Sequence, residues 1–179
     1  MSQYYRDLTA RLAQGPFVLV APLSNELVRN WPLERYGELC EWFSREMGHV
    51  CLVVGSRAQR ERLNSMPGLR RNDGVINSAG LLTFSETLSC MTRSQVVVGN
   101  NSGICHYSSY LGIKTVALYA AAFSLVKWSP GFGPITCLQV NIPCAGCAGQ
   151  CPHDRQCMRD LTLSRVQEAC VKNLAPVLR

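Results

Sequence analysis

The sequence predicts a single α/β domain over residues 1–179, a doubly wound and mostly parallel sheet with helices on both faces. Three observations carry this. Short unbroken apolar runs recur, at residues 17–21, 50–54 and 115–119 among others, as strands buried on both faces require. Segments with apolar residues at helical spacing separate these runs, the alternation that builds βαβ units. The chain has 179 residues, 47% of them apolar and 17% charged, enough for one full core and too few for two comfortable ones.

Each element follows in order. Tyr4, Leu8 and Leu12 mark an amphipathic helix over 3–13. Phe17-Val18-Leu19-Val20-Ala21 is a β run entered through Gly15-Pro16. Pro32 suits the first position of a helix, whose missing N–H is harmless there. Tyr36, Leu39, Cys40 and Phe43 form that helix's inner face, and Gly48 stops it. Residues 50–54 form a second strand closed by Gly55, followed by a basic helix over 58–64 and a short strand at 74–77. A helix over 85–93 leads into Gln95-Val96-Val97-Val98, a strand that ends at Gly99-Asn100-Asn101-Ser102-Gly103. A helix at 102–111, strands at 115–119 and 138–142 and a helix at 164–174 complete the chain.

Composition excludes several classes. The apolar content argues against disorder. The longest nearly apolar stretch, 115–126, is short of the ~20 residues that cross a bilayer. Residues 1–15 lack an apolar core with a cleavage site, so a cytoplasmic protein is expected. The net charge is +6, from 18 Lys plus Arg against 12 Asp plus Glu. Arginine dominates, with one cluster at Arg57, Arg60, Arg62, Arg70 and Arg71. No aromatic-basic interleaving or reading helix accompanies it, so no nucleic-acid partner is expected. Anionic small molecules fit the charge at least as well.

In doubly wound sheets, ligands bind beyond the carboxyl ends of the strands, near helix N-termini. Two loops lie there, 22–31 and 99–106. In the second, small residues at a strand-to-helix junction leave backbone N–H groups free at a helix start, which suits phosphate. Asn101 or Ser102 caps that helix, and His106 lies one turn in. The competing reading is a tight turn with an ordinary cap and a hydrogen-bonded histidine. Cys105 and His106 are adjacent on a helix and diverge by about 100°, so they do not make a nucleophile–base pair.

Asn101-Ser102-Gly103-Ile104-Cys105-His106 resembles the Asp-Ser/Thr-Gly-x-x-His motif of glycosyltransferase family 9, the heptosyltransferases of lipopolysaccharide synthesis. Residues 18–22 with Arg29-Asn30-Trp31-Pro32 are similar to the family's strand followed by Lys-x-Trp-Pro. Val53-Val54-Gly55, Gly80-Leu81-Leu82-Thr83-Phe84 and residues 111–119 fall in the family's order and spacing. The resemblance covers nearly the whole chain, but only the C-terminal, Rossmann-like half of the two-domain GT-B architecture. It implies a nucleotide-sugar-binding domain whose donor, ADP-heptose or a close analogue, is passed to a lipopolysaccharide-type acceptor. By position, Ser24, Asn101, Ser102, Gly103 and His106 approach the diphosphate. Arg29 stands where a lysine neutralises the departing phosphates, and Leu82 and Thr83 line the base. Transfer needs no cofactor. The resemblance implies a cytoplasmic protein, peripheral at the inner face of the bacterial inner membrane.

The chain departs from the pattern at several points. Asn101 replaces the motif's acid, Arg29 replaces lysine, and Ser56 follows the glycine turn where an acid often holds ribose. The domain that carries the acceptor site and the catalytic base has no counterpart here, so no catalytic residue is assigned and the chain alone is expected to be inactive. An N-terminal-domain partner or a homo-oligomer is expected to complete it. The alternative is a non-catalytic, metal-stabilised remnant or interaction module of the same fold.

Six cysteines lie singly in apolar segments, as small buried hydrophobes. The other four form a loop at 144–157, Cys144-x2-Cys147-x3-Cys151-x5-Cys157. Four soft thiolates suit tetrahedral zinc or iron. A disulfide pair and free thiols are the competing readings, the first at odds with a reducing compartment. By resemblance, one family branch holds iron on cysteines. Such a site would be structural, with no open position.

Overall fold

The computed structural model describes residues 1–69, 72–147 and 150–174. The chain runs α1 (Gln3–Leu12), β1 (Phe17–Ala21), α2 (Leu33–Arg45), β2 (Val50–Val53), α3 (Arg60–Asn64), β3 (Val75–Asn77) and α4 (Phe84–Met91). It continues with β4 (Val97–Asn100), α5 (Gly103–Tyr110), β5 (Thr115–Tyr119), α6 (Leu125–Trp128), β6 (Ile135–Gln139), α7 (Gln156–Asp160) and α8 (Leu163–Asn173). Six strands form one sheet in the order β3-β2-β1-β4-β5-β6, every neighbouring pair parallel. This is the expected Rossmann-like α/β fold. The winding reverses between β1 and β4, so the crevice at the carboxyl ends of these two strands is the topological switch point.

Period-2 alternation sorts β1 between two layers. Val18 and Val20 join Tyr36, Leu39 and Phe43 of α2 and Val166 and Cys170 of α8 on one face. Phe17, Leu19 and Ala21 join Tyr5, Leu8 and Leu12 of α1 and Cys90 and Met91 of α4 on the other. Both faces are therefore dry, and all five residues of β1 are buried. Phe43 is fully buried, and its truncation to alanine would cost about 3–5 kcal/mol.

The differences from expectation are local. The strand expected to stop at Val98 continues through Gly99 and Asn100, which pair with Ala117 and Leu118. Gly99 is a close-approach glycine, since a Cβ there would lie 3.0 Å from the carbonyl oxygen of Ala21 and 3.1 Å from its Cβ. The last strand lies three residues earlier than expected, because β5 fixes its register at Thr115↔Ile135 through Tyr119↔Gln139. The apolar residues that suggested the later position, Val140 and Ile142, pack on the core after leaving the sheet. Pro32 is the residue before α2 rather than its first. α6 and α7, one turn each, carry too short a periodicity to read. His49, without an evident partner in sequence, bonds Met47 O at 2.8 Å and Gln95 Oε1 at 3.0 Å. Of the arginine cluster, Arg70 and Arg71 lie outside the described residues.

Candidate functional site

The loop after β1 is shaped by one side chain. Asn30 Oδ1 accepts the backbone N–H of Ser24 at 2.7 Å and its hydroxyl at 2.9 Å, closing the loop on itself. Asn100, at the end of β4, holds this closure in place by donating to Pro22 O at 2.5 Å and to Asn30 Oδ1 at 3.2 Å. Its own Oδ1 accepts from Trp31 N and from Tyr36 Oη, each at 3.0 Å. The turn Leu27–Arg29 inside the loop then presents Arg29. The Arg29 guanidinium lies over the Phe123 ring at 4.4 Å from its centroid and bonds Glu26 Oε1 at 2.6 Å.

Together with the start of α5, this loop encloses a cavity of ≈ 590 Å³ at the switch point. Ser24, Glu26 and Arg29 line one side, and Asn101, Ser102, Gly103 and Tyr107 the other. Gly55, Ser56 and Gln59 after β2, with Leu82 and Phe84, close the far end. The cavity thus brings together Ser24, Arg29, Leu82, Asn101, Ser102 and Gly103 of the residues singled out in sequence.

Thr83 and His106 stand apart from it. Thr83 caps α4, accepting from Glu86 N at 3.2 Å while its own N–H donates to Glu86 Oε2 at 2.9 Å. His106 lines a separate apolar groove with Tyr107, Tyr110 and Phe132, and touches the cavity only through Asn101 Oδ1 at 3.4 Å. The adjacent Cys105 is fully buried, donates to Asn100 O, and has its thiol pushed up to about 12 by burial, far from nucleophilic.

Four buried polar side-chain atoms have no hydrogen-bond partner among the described residues: Arg29 Nε, Asn72 Nδ2, Asn101 Nδ2 and Ser102 Oγ. Three of the four belong to residues lining this cavity. Ser102 precedes α5 in extended conformation, yet its hydroxyl makes no capping bond. The capping role expected of Asn101 or Ser102 is therefore not taken up by a side chain, and the first N–H groups of α5 stay open toward the cavity. A Cβ at Gly103 would meet no atom within 4 Å. The site offers donors, a guanidinium and a helix start, and its one facing carboxylate is Glu26. Sequence reasoning missed Phe123, Tyr107 and Gln59, which reach the site from loops and from the outer side of α5.

The cysteine loop is folded but not gathered. Cys157 is buried at the base of α7 while Cys144, Cys147 and Cys151 are only partly covered. All four are free thiols, and among the described residues no group of three or more His, Cys, Asp or Glu side chains is arranged to hold a metal ion. The donor chemistry suits zinc or iron, but among the described residues the four thiols are not gathered into the expected four-thiolate shell. Neighbouring contacts remain: Cys151 Sγ accepts from Arg155 N at 3.1 Å, and its thiol is lowered by the His153 and Arg155 N–H groups and by the Cys147 side chain.

The family model of glycosyltransferase family 9 (heptosyltransferase) matches residues 2–155. The chain belongs to glycosyltransferase family 9. Solved structures agree on the fold of this family 9 chain. It superposes on E. coli ADP-heptose lps heptosyltransferase II with a TM-score of 0.77 and 18% identity, over 97% of this chain and 52% of that one. With E. coli heptosyltransferase WaaC bound to ADP, the TM-score is 0.70 at 14% identity, over 94% and 48%. With the dodecameric iron-containing heptosyltransferase TibC of enterotoxigenic E. coli, in complex with ADP-D-beta-D-heptose, it is 0.67 at 18% identity, over 88% and 45%. The chain spans about half the length of these structures. No curated protein matches it in sequence. Among the described residues no helix is long and apolar enough to cross a membrane.

Proposed function

We propose that this family 9 domain binds the nucleotide-sugar donor of a heptosyltransferase-type reaction, ADP-heptose or a close analogue. The acceptor is of lipopolysaccharide type, and a second domain or partner chain supplies the catalytic base and acceptor site. One observation carries the reading: Arg29 Nε, Asn101 Nδ2 and Ser102 Oγ are buried, unpartnered and clustered on one cavity at the switch point. Buried polar groups are ordinarily paired, so three around one space point to an absent polar ligand. Two structural neighbours were crystallised with ADP or ADP-heptose, which supports the same class of ligand.

Its part in the mechanism is electrostatic. The open N–H groups at the start of α5, with Ser102 and Asn101, take the diphosphate oxygens. Arg29, held flat against Phe123, neutralises the charge that grows as the diphosphate departs. Leu82 and the residues after β2 take the nucleoside, with Ser56 and Gln59 within reach of ribose or base. His106 acts only by orienting Asn101, and Thr83 by fixing α4. Calorimetric titration of the chain with ADP, GDP, UDP and ADP-heptose tests this. Saturable binding of one of them, weakened roughly tenfold or more in Arg29→Ala, is expected for loss of a charged hydrogen-bond partner. No binding of any would overturn the reading.

A second reading concerns the cysteine loop, as a structural zinc or iron site on Cys144, Cys147, Cys151 and Cys157. It draws on their spacing and on the mutual influence of Cys144 and Cys151 on the Cys157 thiol, which burial raises. It requires the loop to close further around the ion. Elemental analysis of reduced protein decides it: one metal per chain, lost in Cys147→Ser, supports the site, and metal-free protein sinks it.

A further inference from the structure

A second cavity of ≈ 370 Å³ lies where the 22–31 loop enters α2, and it shares no lining residue with the switch-point cavity. Asn30 and Trp31 form its inner wall, and Pro32, Leu33 and Met158 give it an apolar side. Arg62, Arg155 and Arg159 line the rest, with Glu34 as the single lining carboxylate. The arginines come from separate places in the chain, Arg62 from α3, Arg155 from the residue before α7 and Arg159 from within α7. They converge only through the fold.

Their bonding differs. Arg62 is exposed and makes no side-chain hydrogen bond or ion pair among the described residues. Arg155 is paired only through Nε, 3.6 Å from Asp154 Oδ1, which leaves its terminal nitrogens free. Arg159 is held by Asp154 and by His153 O. Asp154 is turned outward with 74% of its side chain exposed. Glu34 pairs with none of the three. One unpaired arginine, one paired only through Nε and a third held by Asp154 therefore line the pocket with one carboxylate, beside an apolar wall. The pocket falls in the range of small-ligand sites, roughly 300–1,000 Å³.

We propose that this arginine-lined pocket is a second anion site, which takes the phosphate monoester of a phosphorylated sugar. Planar forks match phosphate bidentately, and a doubly charged anion gains more from a lining of three arginines and one carboxylate than a singly charged one does. Pro32, Leu33 and Met158 accommodate the carbon framework, and the lining Ser65 hydroxyl, which donates to Arg62 O at 2.8 Å, keeps its lone pairs to accept from a sugar hydroxyl. The site is separate from the donor cavity, so both are filled at once.

The test is titration of the full chain with glucose 1-phosphate, inorganic phosphate and glucose, each with and without saturating ADP. Glucose 1-phosphate is expected to bind more tightly than inorganic phosphate, with glucose silent and ADP without effect. Arg62→Glu is expected to weaken it roughly tenfold or more and to leave the melting temperature unchanged, since the Arg62 side chain holds nothing in the fold. Unchanged affinity in Arg62→Glu, displacement by ADP, or loss in Arg29→Ala instead would overturn the proposal. Equal affinity for bare phosphate would overturn the sugar assignment. The measurement without ADP reads the pocket even where the donor cavity binds no nucleotide.

Discussion

Asn100 and Asn30 are joined side chain to side chain, Nδ2 to Oδ1 at 3.2 Å, and through this contact the central strand β4 holds the loop that carries Arg29. Both residues are at most 2% exposed. Asn100→Ala leaves Trp31 N, Tyr36 Oη and Pro22 O without partners in the interior. At about 1–3 kcal/mol for each unpaired buried group, partly recovered by water, a loss of about 3 kcal/mol is expected. Urea unfolding measures it. A loss below about 1 kcal/mol would mean that the loop stands without the clamp.

Ser102 and Gly103 separate stability from binding. An ordinary N-cap serine costs ~1 kcal/mol when replaced by alanine. Ser102 makes no capping bond and its hydroxyl is buried without a partner, so Ser102→Ala is expected to leave stability unchanged or to raise it by up to about 1 kcal/mol. Gly103→Ala adds a methyl into open space at the first turn of α5 and is expected to leave stability unchanged or slightly raised. Both variants should weaken nucleotide binding. Full affinity in both would remove the start of α5 from the site.

Glu26 is the one acid among the residues lining the switch-point cavity, and its partner is Arg29. Its carboxylate is about half exposed, so Glu26→Gln should cost at most about 1 kcal/mol of stability. Binding of a diphosphate should tighten, because the guanidinium no longer has to leave a carboxylate. The gain should shrink as salt rises. Titrations at two ionic strengths check both points, and weaker binding in Glu26→Gln would instead make Glu26 a ligand contact.

Glu86 ties α1 to α4. Its carboxylate accepts from Ser2 N at 2.7 Å, from Ser2 Oγ at 3.0 Å and from Thr83 N at 2.9 Å. The backbone N–H groups of Ser2 and Thr83 lower its pKa to about 2. An acid depressed in the folded state stabilises it above the unfolded value of about 4.3 and loses that contribution as pH falls toward the folded value. The parent chain should therefore melt higher than Glu86→Gln at pH 6, with the gap closing between about pH 4.5 and pH 2. A gap independent of pH would show that the carboxylate's charge plays no part.

The sequence alone determined the layered fold and which two loops flank the cavity at the switch point. Apolar runs such as 17–21 and the glycine-rich junction after β4 are local signals, set by burial on two faces and by helix-start geometry. Family resemblance added Arg29, Ser24 and Leu82, and all three line the cavity. Tertiary structure decided the rest. Whether Thr83 and His106 face the cavity depends on the rotation of α4 and α5 about their axes, which packing fixes and spacing does not. The unpartnered hydroxyl of Ser102 is visible only once every neighbour is in place. That the four cysteines are not gathered into a metal-holding group among the described residues is also a matter of tertiary packing, which their spacing does not fix. The arginine pocket likewise joins residue 62 to residues 155 and 159, a juxtaposition made by chain folding across nearly a hundred residues rather than by any local pattern.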